Sequence, residues 1–417
     1  MIPEQTHKLV FLGGLLLESQ SGLIEKNTRV NVQHAADALQ RAILRGFAER
    51  ENALTVVVNV PYIASYPRGD RAIWFPAIAD RLFGFMPVRG MGFFNLLVAR
   101  VISRFWAASR GLDLETRRQN SGTIFVYAAH LPFVLAALTA RRRNPAVRLC
   151  LILPDLPEFM GEGGPIYKTL VAINKRIFYR LAPKFDYFAV LTEPMAERLG
   201  IGADRYVVME GIYDPGDETA VPAWPTDPGP TFIYTGTLAA RYGILDLLSA
   251  FSTLDMPNAK LWICGDGDAR AAVEDMARRD ARVTFFGRVP RAEALTLQAQ
   301  AHVMVNPRRP EGEFTRFSFP SKTMEYLASA RPVIMHWLDG MPPEYRPYLM
   351  TPATGDAEGL AAEMRRVAAL PPETLQQIGA EGRHFVLTQK NPKVQVGRLL
   401  DMVMPTVPEH PTDQKPR

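Results

Sequence analysis

Cysteine is scarce in this chain. Among 417 residues only Cys150 and Cys264 occur, each inside an apolar run that reads as a buried strand, so both are expected to be small core hydrophobes. Two lone thiols exclude a disulfide framework and a cysteine-based metal site, and they fit a reducing compartment. Long apolar runs are missing too, since none reaches the ~18–20 residues that span a bilayer. The opening run over residues 8–17 follows a leader with Glu4 rather than a basic cluster, and no small-residue cleavage site comes after it. A first strand entering the Gly13-Gly14 turn explains it better than a secretory signal. Charge of one sign is also weak. A net charge of +5 is compatible with a solvated surface or anionic lipid, but no aromatic-basic RNA motif or zinc-finger spacing supports a nucleic-acid partner. The expected setting is cytoplasmic.

What is present is a length comfortable for two domains. Short apolar runs alternate with amphipathic helical patterns, which argues for an α/β chain with mostly parallel sheets. In the first half strands are expected at 8–12, 54–60, 123–128, 148–153, 186–191 and 206–210, with helices near 30–50, 132–142, 166–182 and 194–199. The segment 220–230 is dense in proline and glycine and reads as a linker. Beyond it, strands are expected near 231–236, 260–264, 283–286, 302–305 and 332–336. Helices are expected near 243–254, 268–279, 291–299, 320–329, 356–369, 373–388 and 391–403. The domains are therefore placed at 1–220 and 221–390, followed by a helix at 391–404 and a polar, proline-rich, disordered tail at 405–417.

One stretch, Ser318-Phe319-Pro320-Ser321-Lys322-Thr323-Met324-Glu325-Tyr326-Leu327, carries the most chemistry. Pro320 suits the first position of a helix, and Ser318 lies at or near its cap. The N–H groups of Ser321 and Lys322 would point out of the helix start, where the dipole favours an anion such as a diphosphate. The Lys322 ammonium is a flexible point charge suited to phosphate, or else a surface lysine. Glu325, one turn in, can accept two hydrogen bonds from a ribose diol, each about 1.5–3 kcal/mol. Upstream stand Gly236-Thr237-Leu238 after a strand, then Arg241-Tyr242-Gly243, Gly265-Asp266-Gly267, Gly287-Arg288 and Val303-Met304-Val305-Asn306-Pro307; downstream is Ala330-Arg331-Pro332. Gly236 would let backbone approach a ligand closely.

This ordered set resembles the C-terminal half of family 4 retaining glycosyltransferases of the GT-B fold, most strongly over residues 230–340. The resemblance implies two Rossmann-like doubly wound domains facing across a cleft, with the last helix crossing back to the first domain. It implies a nucleotide-sugar donor, held by Gly236, Thr237, Gly265, Gly287, Arg288, Ser318, Pro320, Ser321 and Glu325. Catalytic roles fall on Arg241 and Lys322, which would stabilise the leaving diphosphate, and on His130, which would contact the donor sugar. No Asp-x-Asp is read at a strand end, so no catalytic divalent metal or other cofactor is expected; by the resemblance the leaving phosphate itself can serve as base. Two departures matter. The family pattern places a first glutamate eight residues before Glu325, where this chain has Phe317, and Glu311 and Glu313 are its nearest substitutes. Ala330 stands where a helix-ending glycine is common.

In the first half, Gly13 and Gly14 place a bare backbone at the carboxyl end of the first strand. Asp155 and Glu158 follow another strand and could hold acceptor hydroxyls, while turn formation explains Asp155 equally well. A lone His130 is as often structural. Residues 71–108 interleave Trp74, Phe75, Phe85, Phe94 and Trp106 with Arg71, Arg81, Arg89, Arg100 and Arg104. On helices that pattern suits an anionic membrane surface, or a buried helical pair. The expected acceptor is a glycan, polyprenyl-diphosphate-linked if the chain sits at the inner face of the plasma membrane, as in bacterial capsule or exopolysaccharide assembly. A non-catalytic nucleotide- or glycan-binding subunit and a nucleotide-sugar epimerase remain alternatives.

Overall fold

The computed structural model describes residues 7–29, 33–51, 53–67, 69–96, 99–117, 122–159, 165–216, 223–226 and 229–404. These fall into two compact units. The described parts of Met1–Val190, Met195–Met209 and Pro392–Arg417 form the first, and those of Leu191–Pro194 and Glu210–Asn391 the second. The predicted linker and tail lie partly or wholly outside the described residues. Residues 223–226 are described and are fastened to the second unit: Arg331, buried, donates to the carbonyl of Ala223 and lies 5.1 Å from the Trp224 ring centre.

The first unit runs β1 (His7–Gly13), α1 (Glu18–Asn27), α2 (His34–Ala48), β2 (Ala53–Asn59), β3 (Trp74–Phe75), β4 (Ile78–Leu82), β5 (Met86–Gly90), β6 (Phe93–Phe94) and α3 (Ala99–Thr116). It continues β7 (Gly122–Tyr127), α4 (Leu131–Arg143), β8 (Val147–Leu153), α5 (Pro165–Leu181), β9 (Tyr187–Val190), α6 (Glu193–Leu199) and β10 (Tyr206–Val208). Its sheet has the order β10-β9-β8-β7-β1-β2-β5-β4, parallel except for the β4–β5 edge. Residues 9–12, 124–126 and 149–153 are buried, as strands covered by helices on both faces must be.

The second unit runs β11 (Thr231–Thr235), α7 (Ile244–Ser252), β12 (Lys260–Cys264), α8 (Arg270–Arg279), β13 (Val283–Gly287), α9 (Arg291–Gln300) and β14 (Val303–Asn306). After these come α10 (Glu313–Arg316), α11 (Lys322–Ala328), β15 (Val333–Met335), β16 (Leu349–Met350), α12 (Ala357–Ala368) and α13 (Pro372–Gln389). Its sheet is wholly parallel in the order β13-β12-β11-β14-β15-β16. The last helix, α14 (Pro392–Val403), packs in the first unit. A Cβ on Gly46 of α2 would sit 2.6 Å from that of Val396, so the glycine lets the two helices close.

Two expectations need correction. Residues 71–108 are not a pair of helices: β3 pairs with β6 and β4 with β5, both antiparallel, and the segment turns helical only where α3 begins at Ala99. Short strands pairing across a turn leave no helical period to read. The helix expected to begin at Pro320 begins at Lys322, after a turn closed by the Thr323 N–H on the Pro320 carbonyl at 2.8 Å.

Candidate functional site

In the second sheet β12 and β13 lie to one side of β11, and β14, β15 and β16 to the other. Strand order thus reverses between β11 and β14, and ligands of doubly wound sheets bind at the carboxyl ends of the strands at such a point. Two arginines meet there. Arg241, in the turn after β11, and Arg308, after β14, lie 5.0 Å and 5.3 Å from the centre of the Tyr242 ring. Gly243 makes this approach possible. Its φ is +79°, and a Cβ would fall 2.0 Å from the Pro307 carbonyl oxygen. Arg308 donates through Nη2 to Ser318 Oγ (2.7 Å) and lies 4.6 Å from the Phe314 ring centre, while its Nε is buried without an acceptor. Burial lowers its pKa, and the charge of Arg241 adds to this. Sequence reading found one cation here and missed Arg308, although a basic residue just past a strand end beside the reversal was signal enough.

Ser318 is consequently not a helix cap. Its hydroxyl donates to the Phe314 carbonyl (2.9 Å) and accepts from Arg308. Glu325 Oε1 accepts from Lys322 Nζ (2.7 Å) and from Gln298 Nε2 (2.8 Å). The buried Gln298 amide also donates to Thr235 Oγ1 (2.8 Å), and the Tyr326 hydroxyl accepts from the Thr235 N–H (2.8 Å) and donates to its carbonyl. The helix is therefore locked to the end of β11 with Glu325 held in one place. Lys322 is the counter-ion of Glu325 here. The second oxygen of Glu325 has no partner among the described residues.

The glycines serve the turns. Gly265 has φ +147°, and a Cβ there would lie 1.8 Å from the Gly236 carbonyl oxygen; on Gly267 one would lie 2.4 Å from that of Leu238. The two strand-end turns are laced by Gly236 N–H to Cys264 O (3.0 Å) and Leu238 N–H to Asp266 O (2.9 Å). Gly265 N–H takes the carbonyl of Gly287, whose own φ is +69°, and Thr237 and Arg288 are exposed. Asp266-Gly267-Asp268 spells an Asp-x-Asp just after β12, contrary to the expectation that none stands at a strand end. Asp268 accepts from the Ala240 N–H (3.0 Å) and Asp266 lies 3.6 Å from Arg270. Among the described residues no three His, Cys, Asp or Glu side chains are grouped to hold a metal ion.

In the first sheet the reversal falls between β1 and β7. Gly13 and Gly14 end β1, but their backbone is not bare. The N–H groups of Gly14, Leu15 and Leu16 donate to Gln40 Oε1 (2.8 Å), Asn59 Oδ1 (2.6 Å) and Asp37 Oδ1 (2.8 Å). A Cβ on Gly14 would meet the Tyr62 ring at 2.5 Å. His130 follows β7 and packs edge-on against Tyr62 and Phe133. Burial, then Arg104 and Arg100, hold its pKa well below the usual value, so the ring is neutral at pH 7. It lines a cavity of about 350 Å³ together with Asp155. Asp155 is exposed at its rim, yet the protein crowding around it raises its carboxyl to about 6. Glu158 does not join them. Its Oε1 is taken by Tyr179 (2.9 Å), Lys175 (3.3 Å) and Arg198 (3.3 Å), a local clasp among α5, α6 and the turn before them.

Residues 229–369 match the family described as glycosyl transferases group 1. A comparison with curated proteins finds no match. Among solved structures, the chain is similar to sucrose-phosphate synthase from Thermosynechococcus elongatus, at 14% identity and a TM-score of 0.61, covering 95% of this chain and 99% of that one. HepE of Anabaena in complex with UDP gives 15%, 0.61, 95% and 99%. The trehalose-6-phosphate structure from E. coli bound with UDP-2-fluoro glucose gives 12%, 0.63, 96% and 99%. The chain is a glycosyltransferase of the GT-B fold.

In this glycosyltransferase the residue eight places before Glu325, Phe317, is buried. Glu311 is exposed, 4.0 Å from Arg309, and Glu313 opens the single-turn helix α10. Ala330 adopts φ +58°, the left-handed conformation in which glycine ends helices. A groove of about 1460 Å³ is lined by Trp74, Phe94, Ile102 and Trp106 together with Arg81, Arg110, Asp80 and Glu115. Trp106 is 61% exposed. Among the described residues no helix is long and apolar enough to cross a membrane.

Proposed function

We propose that this glycosyltransferase moves a sugar, with retained configuration, from a UDP- or GDP-linked donor to a lipid-linked glycan acceptor in bacterial surface polysaccharide assembly. The observation that carries the donor half is the meeting of Arg241 and Arg308 at the β11/β14 reversal, inside the segment that matches the family. Departure of the donor diphosphate concentrates negative charge on its oxygens. Two guanidinium groups fixed before that charge develops lower the barrier, because no reorganisation is needed when it appears. Glu325, anchored by Gln298 and Lys322, offers its second oxygen to the ribose diol. Gly287 and Arg288 would border the base, and Lys322, once relieved of Glu325 by the diol, would reach the diphosphate. UDP-containing neighbours support this donor class. The reading uses no catalytic metal or other cofactor.

On the acceptor side, Asp155 and neutral His130 share one cavity, and Asp155, deprotonated above about pH 6, can accept a proton from the acceptor hydroxyl. The aromatic groove, whose lining includes exposed Trp74, Phe94 and Trp106 and the exposed Arg81 and Arg110, supports contact with a membrane surface and so a lipid-linked acceptor. Calorimetry with a panel of UDP-, GDP- and dTDP-sugars tests the donor half. Glu325→Ala is expected to weaken the preferred donor by at least about tenfold, given the strength of hydrogen bonds to a carboxylate. Unchanged affinity would remove Glu325 from the site.

A further inference from the structure

Helix α3 presents two arginines, Arg100 and Arg104, one turn apart on one face. That face closes the cavity lined also by Tyr62, Tyr127, His130 and Asp155. Arg104 is 4% exposed. Its Nη2 donates to the carbonyls of Pro61 (2.7 Å) and Ile63 (3.1 Å), and its guanidinium lies 4.8 Å from the Phe93 ring centre. Its Nε is buried with no acceptor. Arg100 reaches the Ile63 carbonyl at 3.3 Å. Neither arginine has an ion pair among the described residues: Asp155 shares the cavity lining but pairs with neither, so the direct partners of this buried positive charge are carbonyl dipoles. Such a charge is costly to keep unless something of opposite sign is bound there. His130 Nδ1, also buried and without a partner, lies in the wall of the same cavity.

We propose that this cavity is an anion site, in which Arg100, Arg104 and His130 bind a phosphoryl group carried by the acceptor. The proposal deepens the acceptor half of the reaction and rests on it. The cavity volume, about 350 Å³, is at the lower end of ligand pockets and accommodates a phosphate or diphosphate with the first part of what it is attached to. A planar guanidinium suits phosphate oxygens, to which it donates in parallel. Arg100 and Arg104 carry no donor role above, and His130, which the resemblance placed at the donor sugar, is assigned here to the acceptor phosphoryl group instead.

The phosphoryl group could come from a prenyl lipid or from a soluble sugar phosphate, and the test separates them. The full chain, saturated with UDP so that the donor site is filled, is titrated by calorimetry with inorganic pyrophosphate, farnesyl diphosphate and glucose 6-phosphate. The wild type is expected to bind at least one probe. Arg100→Gln and Arg104→Gln should each weaken it at least about tenfold, as removal of one charge-assisted hydrogen bond does. Arg104→Lys, which keeps the charge, should retain more affinity than Arg104→Gln. Preference for farnesyl diphosphate marks a lipid phosphate, and preference for glucose 6-phosphate a soluble one. If no probe binds, or if both glutamine variants bind as the wild type does, the proposal is overturned. Should Arg104→Gln fail to fold, the half-buried Arg100 decides alone. A chain that does not bind UDP counts against the donor reading only, because the phosphate titrations can be run without it.

Discussion

At the end of β11 the turn is satisfied by backbone, with Gly236 and Leu238 donating to the carbonyls of Cys264 and Asp266. At the equivalent end of β1 three successive N–H groups are taken by the side chains of Gln40, Asn59 and Asp37. The cations differ in the same sense. Lys322 has Glu325 and Arg308 has Ser318, while Arg104 has only carbonyl oxygens. Where glycines let backbone satisfy backbone, polar side chains are left to face a ligand at the strand ends. Where side chains must cap the turn and Tyr62 fills the space over Gly14, chemistry shifts to the next strand end and to a helix, that is, to His130 and α3.

The largest effect expected to sharpen this contrast concerns buried charge. In the second unit Lys390 and Glu210 are 2.6 Å apart and each 1% exposed, with the Tyr345 hydroxyl on Glu210 at 2.7 Å. Lys390→Met strands the carboxylate and should cost about 3–5 kcal/mol in urea unfolding. Arg104→Met in the first unit strands no counter-charge and should cost clearly less; equal losses would erase the distinction. Next come the turns. Gly265→Ala should cost about 3 kcal/mol, because the added Cβ collides with backbone at a φ only glycine adopts readily. Gly14→Ala meets a tyrosine ring that can shift, and about 1–3 kcal/mol is expected. A milder Gly265 variant would mean that the two turns are not held by their close approach.

Arg308→Ala is expected to lower kcat/KM about a hundredfold with any accepted donor, the range for a lost transition-state donor, and Ser318→Ala less. An unaffected rate would leave Arg241 as the working cation. The smallest effect is a pH dependence. Asp155 titrates near 6 in the fold against an ordinary 3.8. The folded chain therefore holds this proton more tightly than the unfolded one, and the site favours folding less as pH rises from the ordinary value to about 6. Asp155→Asn should flatten that part of the stability–pH curve. It should also remove the fall in kcat/KM below about pH 6 expected of a base that must be ionised. A profile unchanged in the variant would take Asp155 out of the reaction.

Much of the fold was legible because parallel strands buried on both faces are short continuous apolar runs, as at residues 56–58, 149–153 and 303–305. The pieces that escaped include α1, which is polar, and α10, β16 and the strand pairs β3–β6 and β4–β5, which are only two to five residues long with no sustained period. The 18-residue α3 also escaped as an element of its own. Among candidate residues, Glu325 could be picked out by its place in a motif, whereas Arg308 needed the knowledge that β14 lies beside β11. Glu158 could not be told from Asp155 by position, since its partners Tyr179, Lys175 and Arg198 come from later helices.

The amino-acid order by itself determined the alternation of strand and helix in an α/β chain with mostly parallel sheets, because periodicity and local turn chemistry act over a few residues. It also carried the motif whose resemblance implied two doubly wound domains. Only the tertiary structure decided which charges are paired and which turns are closed. Those outcomes depend on partners far apart in the chain, 26 residues for Gln40 and Gly14 and 91 for Tyr326 and Thr235. A hydrogen bond is a matter of distance in space, which no local pattern encodes.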